Sequence, residues 1–528
     1  MHPILKALTK TVGGMNEGAN QRFQKRKRCV DVQHARLTSR PFDQNNYEMK
    51  NSWTVWLIVI LVALLSTSET EAQTFKTLYS FSNVGDGRDP ISILTLFGST
   101  LYGTTVFGGT FGSGTVFRIN VDGSGFTNIH SFTKLTSNGL PLEETNGDGG
   151  TIAANVIASK GIVYGTATYG GIFSFGTVFR VNIDGTGFKN LHNFDGSNDG
   201  SLPHAGLILS GSTLYGTAGS GGSSGWGTVF AVNTNGAHFT NLHNFTLGNG
   251  VHPESGLILC GNLLFGTTAA NGNILTNNLN SGGTVFSICT NGTDFTNLYS
   301  FTGGNDGNNP WGGLVLLGNR LYGTTISGGA FVNGDIFSIC TNGSGFTNLF
   351  SFPGDVVGYR PSGLLAVGNA LYGTSTQGGC ATNGSLFAIN IDGSGFTNLY
   401  SFSLGAGSQS LITNSDGALP IAGLILSGNT LYGTAHTGGS AGNGTVFSLS
   451  FPSPHLSINQ TPFVTNAVLT WASGMGGYSY SGYTLQSTTN LASSRTWKSV
   501  SGTPAVFGEQ YIATNPVSSG QMFFRLSQ

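Results

Sequence analysis

The chain has 528 residues, 83 of them glycine, with 11% aromatics, 9% charged residues and a formal net charge of −1. That length leaves room for two or more domains, and the aromatic share excludes a wholly disordered chain. Residues 73–528 carry 12 Lys/Arg against 17 Asp/Glu, a balance of −5, which excludes a basic nucleic-acid surface on the main body.

The N-terminus differs from the rest. Residues 1–50 hold ten Lys/Arg and four acids, a balance of +6. Residues 53–65, WTVWLIVILVALL, form an apolar run, too short for a span that needs about 20 residues. They suit the apolar core of a secretory signal. Met49-Lys50 supplies its basic start, and Thr70-Glu71-Ala72 a small-x-small cleavage site before Gln73. The sequence thus predicts a doubtful or disordered extension over 1–48 and a signal peptide or signal anchor over 49–72. Cleavage places the protein outside the cell or on its surface; without it, the same segment is the chain's one membrane contact.

From residue 75 the chain is built of three recurring words. Leu-Tyr-Gly-Thr or a variant occurs seven times, with its glycine at 103, 165, 216, 266, 323, 373 and 433. Thr-Val-Phe or a variant follows each, at 115, 177, 228, 284, 335, 385 and 445. A third word, F-x-N-L-Y-S-F, begins at 75, 126, 188, 239, 295, 346 and 396. The glycine intervals run 62, 51, 50, 57, 50 and 60. A unit of about 50 residues with short alternating runs and Gly-rich turns is the period of a four-stranded propeller blade. Strand A reads G-L-I-L (206–209, 423–426), strand B L-Y-G-T, strand C G-T-V-F-x-I-N and strand D F-T-N-L-Y-S-F. Gly-Asn or Gly-Ser joins A to B, and Asp-Gly or Asn-Gly joins C to D, as primed hairpin turns require. The long intervals place insertions at 133–150, 269–283 and 403–418.

The third word comes first and the second comes last. A ring lets each complete the other, so 75–81 is expected to pair antiparallel with 445–450, and closure removes unpaired edges. The fold class read here is all-β: a seven-bladed β-propeller over 73–450 closed by an N-terminal strand, then a linker at 451–462 with Pro452, Pro454 and Pro462. A small C-terminal β-sandwich follows over 463–528, with strands at 467–471, 482–488, 496–500 and 522–526. About 65 residues is close to the minimum for an independent core, which favours packing on the propeller.

The wording GLILSGNTLYGTT…GG…GTVFxINxDGSGFTNLYSF resembles the GloVer tandem repeat, a Gly/Leu/Val-rich repeat of exported bacterial proteins, over 75–450. The resemblance implies a propeller-like secreted or surface protein and carries no catalytic residues. The C-terminus departs from the family, because no apolar tail with a basic flank follows residue 450.

Chemistry is expected on the D-to-A and B-to-C loops, which share one face and hold all the insertions. Asp86, Asp199, Asp306 and Asp416 each stand four residues before a proline. Asp148 and Asn249 hold the same place, and Val357 breaks it. These residues read as Asx turns or as a ring of ligand-binding carboxylates. Trp226, Tyr169 and Phe331 on B-to-C loops and Trp311 on a D-to-A loop read as stacking platforms for a sugar or a protein partner, or as local packing. Lone His204, His252 and His436 lack an oriented partner and read as loop hydrogen-bonders.

No metal site or cofactor is indicated. There is no CxxC and no Cys/His cluster. Cys289 and Cys340 share one repeat position, so they read as substitutions at a packed site rather than a bridge. No phosphate loop, nucleophile elbow or dinucleotide fingerprint occurs. The function expected is a non-enzymatic binding or surface module, with a glycan or an envelope protein as partner. The alternative is a carbohydrate-active enzyme using Glu143, Glu144, Asp148 or Glu254, which needs two carboxyls about 5 to 9 Å apart.

Overall fold

The computed structural model describes residues 73–137, 144–270, 282–408 and 411–454, with shorter stretches between 456 and 527. The leader at 1–72, Glu143 and parts of the insertions and linker lie outside the described residues. Every regular element among the described residues is a strand, and none of them forms a helix long and apolar enough to cross a membrane.

Residues 74–450 contain seven four-stranded antiparallel sheets. The third repeat shows why. Ile208–Ser210, Thr213–Ala218, Thr228–Asn233 and Thr240–Asn244 pair in chain order. Gly211, at φ 60°, makes the turn between the first two, a conformation that glycine adopts without a Cβ penalty. Asn235 makes the last turn, where its side-chain oxygen accepts the Ala237 N–H at 2.9 Å. Strand A begins two residues later than the sequence pattern suggests, because the preceding carbonyls turn to the neighbouring sheet, as described below.

The words Leu-Tyr-Gly-Thr and Thr-Val-Phe are tied to each other by packing. Gly216 lies opposite Phe230, and a Cβ there would meet the ring at 2.6 Å. The other six copies show the same approach of glycine to phenylalanine, at 2.4 to 2.6 Å. Any side chain at this glycine would push a fully buried Phe out of its site. The pairing of strands C and D shifts register beside that Phe, as between Val229 and Phe230. A β-bulge of this kind strengthens the local twist.

The final sheet joins the two ends of the region. Thr74–Ser80 pairs antiparallel with Thr445–Ser450, with Thr74 facing Ser450 and Ser80 facing Thr445. Two sets of contacts link neighbouring sheets. On the inner side, each strand-B threonine hydroxyl donates to a carbonyl of the next D-to-A segment: Thr104 to Ala154, Thr166 to Ala205, Thr217 to Ser255 and Thr267 to Pro310, at 2.9 to 3.3 Å. Thr324 to Ser362, Thr374 to Ala422 and Thr434 to Ser92 continue the series, at 2.9 to 3.1 Å. On the outer side, an aromatic or histidine of strand D stacks on a phenylalanine of the next sheet. Tyr79–Phe126, His130–Phe188, His192–Phe239 and Tyr299–Phe346 have ring centroids 3.6 to 3.9 Å apart. Tyr400 stacks on Phe75 at 3.9 Å, joining residues 325 positions apart.

Beyond Phe451 the described strands form two larger sheets and a two-stranded hairpin, Gly474–Met475 with Tyr478–Ser479. Of the larger sheets, one holds Ser457–Asn459, Asn466–Ala472, Gln510–Pro516 and Ala505–Phe507; the other holds Lys498–Ser499, Thr484–Thr488 and Phe523–Ser527. Buried Leu469, Trp471 and Leu485 lie between them. Tyr483 packs against the cluster that includes Phe451, Leu431 and Phe447, so this region rests on the last repeat.

Candidate functional site

The loop aspartates are tied down from within. Asp86 accepts from the Tyr79 hydroxyl at 3.0 Å and from Ser82 N at 2.8 Å. Asp306 repeats this with Tyr299 and Thr302, and Asp416 with Tyr400 and Ser403. Asp199 takes His192 Nε2 at 2.6 Å and Asp195 N at 2.8 Å, and Asp148 takes His130 and Thr133. Each carboxylate therefore holds the strand-D ring that stacks on the next sheet. Burial first, and then the neighbouring Asp306, pushes the Tyr299 phenol up to about 12. Burial alone would raise Asp148, but the hydrogen bonds from His130 and Thr133 together outweigh it and hold the carboxyl below its ordinary value. The repeat ending in strand Thr347–Ser351 and the segment after it lack both halves of this latch: Phe350 stands in place of the Tyr or His and Val357 in place of the Asp.

The predicted aromatics separate into two groups. Trp226 packs against the core beside Tyr215 and Phe245 and meets His252 edge-on at 5.8 Å. Tyr169 bridges Gly150 through its backbone. Phe331 and Trp311 are 53% and 44% exposed. Of these four, Trp311 alone lines the cavity described next.

The seven D-to-A segments converge on one cavity of about 140 Å3. Its lining at one equivalent position of the repeats reads Ile91, Ala153, His204, Glu254, Trp311 and Ile421. The polar and aromatic side chains at this position, His204, Glu254 and Trp311, come from three consecutive segments. A Cβ on Gly219 would lie 3.3 Å from His204 Cδ2 and 3.6 Å from Glu254 Cγ, so both flank that glycine. His252 Nδ1 donates to the Gly219 carbonyl at 3.0 Å. One hydroxyl links the segments that carry Glu254 and Trp311: Thr267 Oγ1 lies 2.7 Å from Ser255 Oγ and donates to the Pro310 carbonyl at 3.1 Å.

Electrostatics set this sector apart. Burial pushes the Glu254 carboxyl up to about 7. Burial, and secondarily His252, takes His204 down to about 4, so its imidazole is neutral at physiological pH. Glu254 Oε2 is buried without a hydrogen-bond partner. No Lys or Arg lines the cavity, and no cluster of three metal-ligating side chains exists among the described residues.

Among the other sequence candidates, Asp86, Asp199, Asp306 and Asp416 do not line the cavity. Glu144 lies in a two-stranded hairpin, Thr136–Ser137 with Glu144–Thr145. The four cysteines Cys260, Cys289, Cys340 and Cys380 are free thiols. Sequence reasoning set His204 aside because nothing near it in the chain signals a partner. The signal that was available is alignment of the repeats, which places His204, Glu254 and Trp311 in one register three residues before the Leu of strand A.

These features define an all-β repeat protein of propeller-like, four-stranded antiparallel sheets. More particularly, the chain belongs to the Gloeobacter/Verrucomicrobia repeat family, whose model matches residues 137–279 and 274–447. No curated protein matches the chain. Among solved structures it is similar to an oligogalacturonate lyase in complex with manganese, at 12% identity and TM-score 0.42, over 72% of this chain and 97% of that one. It is also similar to an oligogalacturonate lyase from Vibrio parahaemolyticus (9%, 0.43, 72% and 98%) and to TolB from Acinetobacter baumannii (10%, 0.32, 66% and 79%). At such identities the likeness concerns strand arrangement alone.

Proposed function

We propose that residues 74–450 form a closed seven-bladed propeller, and that the chain is an exported, non-enzymatic binding module whose ligand enters the axial mouth on the loop-rich face. Closure is supported from both sides of the ring. The inner hydroxyl series returns from Thr434 to Ser92, the outer stacks return from Tyr400 to Phe75, and the first strand completes the last sheet.

One observation carries the binding reading: all seven segments meet at one cavity, and three adjacent ones bring His204, Glu254 and Trp311 to it. A concave site with a few convergent polar groups and a perturbed acid is where ligands bind. Among the described residues Glu254 is the sole carboxyl lining the cavity, and Asp148 is committed to His130 and Thr133, so the described residues do not assemble there the paired carboxyls of a glycoside hydrolase.

The test is Trp311 fluorescence and calorimetry of the full chain against a panel of small glycans, amines and envelope fragments, with Trp311→Ala as control. Saturable binding that the substitution abolishes is expected. Turnover of a glycan at the mouth, or binding indifferent to Trp311, defeats the reading. Export rests on the apolar run at 53–65, and mass spectrometry of the native N-terminus, starting at Gln73 if the signal is cleaved, decides it.

A further inference from the structure

Resting on that binding reading, we infer that the mouth selects a compact organic cation, an ammonium or quaternary amine, held between the Glu254 carboxylate and the Trp311 indole. The cavity contains an acid whose Oε2 is buried and unpaired. An unpaired buried oxygen is costly, and the cost is relieved by whatever ligand supplies its partner.

Three features give that partner a positive charge. Among the described residues no Lys or Arg lines the cavity to neutralise the carboxylate. The titratable groups gathered with Glu254 about Gly219, His204 and His252, do not form an ion pair with it; the ion pairs of the described histidines go to aspartates. Trp311, on the next segment and 44% exposed, offers the aromatic surface on which cations are best held. Ile91, Ala153 and Ile421 add apolar surface that suits alkyl groups on the nitrogen, and the other polar lining side chains, Ser92, Asn155, Ser255 and Ser362, are uncharged.

The repeat position supports the choice. Its occupants in the other repeats are Ile91, Ala153, Pro361 and Ile421, so an acid is not demanded by the fold. The Asp335 carboxyl, also buried and without a hydrogen bond of full geometry, faces no such cavity and is treated below as a stability matter.

Cation binding must draw Glu254 into its ionised form. With the free carboxyl near 7, the apparent Kd should fall about tenfold between pH 6 and pH 8, since the ionised fraction rises by that factor. The experiment titrates the full chain with tetramethylammonium and choline, and in parallel with 3,3-dimethylbutan-1-ol, the uncharged isostere of choline. Expected results are binding of both cations, at least tenfold weaker binding of the alcohol, and the stated pH dependence. Glu254→Gln should lose at least tenfold in cation affinity and flatten the pH profile. Trp311→Phe should stay within about threefold of the parent, whereas Trp311→Ala should not.

If Glu254→Gln does not fold, the pH profile and isostere ratio of the parent still decide the matter. Equal affinity for alcohol and amine, or a flat pH profile, overturns the cation assignment. Neutral glycans that bind in a Trp311-dependent way and compete with neither amine also overturn it, while leaving the mouth a binding site. Absence of Trp311-dependent binding for every ligand overturns both.

Discussion

Asp335→Thr should stabilise the protein, and by an amount that depends on pH. The equivalent residue in the other repeats is Thr115, Thr177, Thr228, Thr284, Ser385 or Thr445. Where a hydroxyl stands here it is bonded: Thr228 donates to the Asp199 carbonyl at 3.1 Å, Thr445 to that of Asp416 at 3.0 Å, and Thr115 pairs with Thr105 at 2.9 Å. Asp335 is fully buried, and neither carboxylate oxygen makes a hydrogen bond of full geometry, although the Ser351 and Asn348 side chains stand toward it. Burial pushes its carboxyl up from 3.8 to about 6; Ser351 and Asn348 counter this in part, and Asp306 adds to it. At about 1.4 kcal/mol per pKa unit, ionising it in the folded state costs roughly 2 to 3 kcal/mol. The folded value exceeds the unfolded one, and the group is an acid. The penalty is therefore absent below pH 3.8, grows through the window from 3.8 to about 6, and is complete above it. Thermal melts of parent and variant at pH 4.5 and 7.5 check this. The variant should melt a few degrees higher at pH 7.5, with most of the gap gone at pH 4.5, and Asp335→Asn should fall between the two. An equal gap at both pH values, or a variant less stable at pH 7.5, refutes the electrostatic account.

Deleting residues 73–82 should lower the melting temperature of the whole repeat region and cause aggregation, because strand Thr445–Ser450 would keep only Thr430–Ala435 as partner and expose its other edge; a melt unchanged from the parent counts against closure. Cysteines replacing the facing residues Thr74 and Ser450 should form a disulfide in the folded protein, read as a mobility shift on non-reducing gels. Phe350→Tyr combined with Val357→Asp should rebuild the missing latch, since the pair has the seven-residue spacing of Tyr79–Asp86 and Tyr299–Asp306. A double-mutant cycle by chemical denaturation should return a favourable coupling of about 0.5 to 1.5 kcal/mol. The stability that Asp148 contributes is present above the ordinary carboxylate pKa and lost as pH falls through its lowered folded value. Asp148→Asn should therefore destabilise at pH 7 and have little effect near pH 2, measured by the same melts.

Much of the architecture was legible because the repeats restate it. Strand B, strand C and the turns between them follow from the alternation of Leu-Tyr-Gly-Thr with Thr-Val-Phe, and the family was legible from the same words. Strand A was placed two residues early because Gly206 and Leu207 look like strand residues, while the preceding Ala205 carbonyl is taken by Thr166 across the sheet boundary. No single-chain periodicity reports that bond. In the C-terminal region the hairpin Ala505–Phe507 with Gln510–Pro516 was missed, because Thr514, Asn515 and Pro516 read as a loop. The latch was half visible. The Asp–Gly–Pro spacing was plain, but its partner is a ring seven to eighteen residues earlier, and the pairing becomes readable only where one repeat loses both residues at once.

The three departures from the repeat have different physical meanings. Phe350 and Val357 depart together: the phenol that would need a carboxylate and the carboxylate that would need a phenol are both gone, and stacking on Phe396 at 4.4 Å continues. Such a paired loss leaves no buried group unsatisfied and costs little more than one hydrogen bond. Asp335 departs alone in a closed interior, where nothing from solution reaches it, so its cost falls on stability. Glu254 also departs alone, but at a cavity that all seven segments share, where a ligand can supply what the chain does not. An unsatisfied group at an accessible site is a source of binding free energy, because pairing it removes a penalty the free protein carries. That distinction, and not the acidity of the residue, is what separates Glu254 from Asp335 and makes the shared cavity the place to test for a ligand.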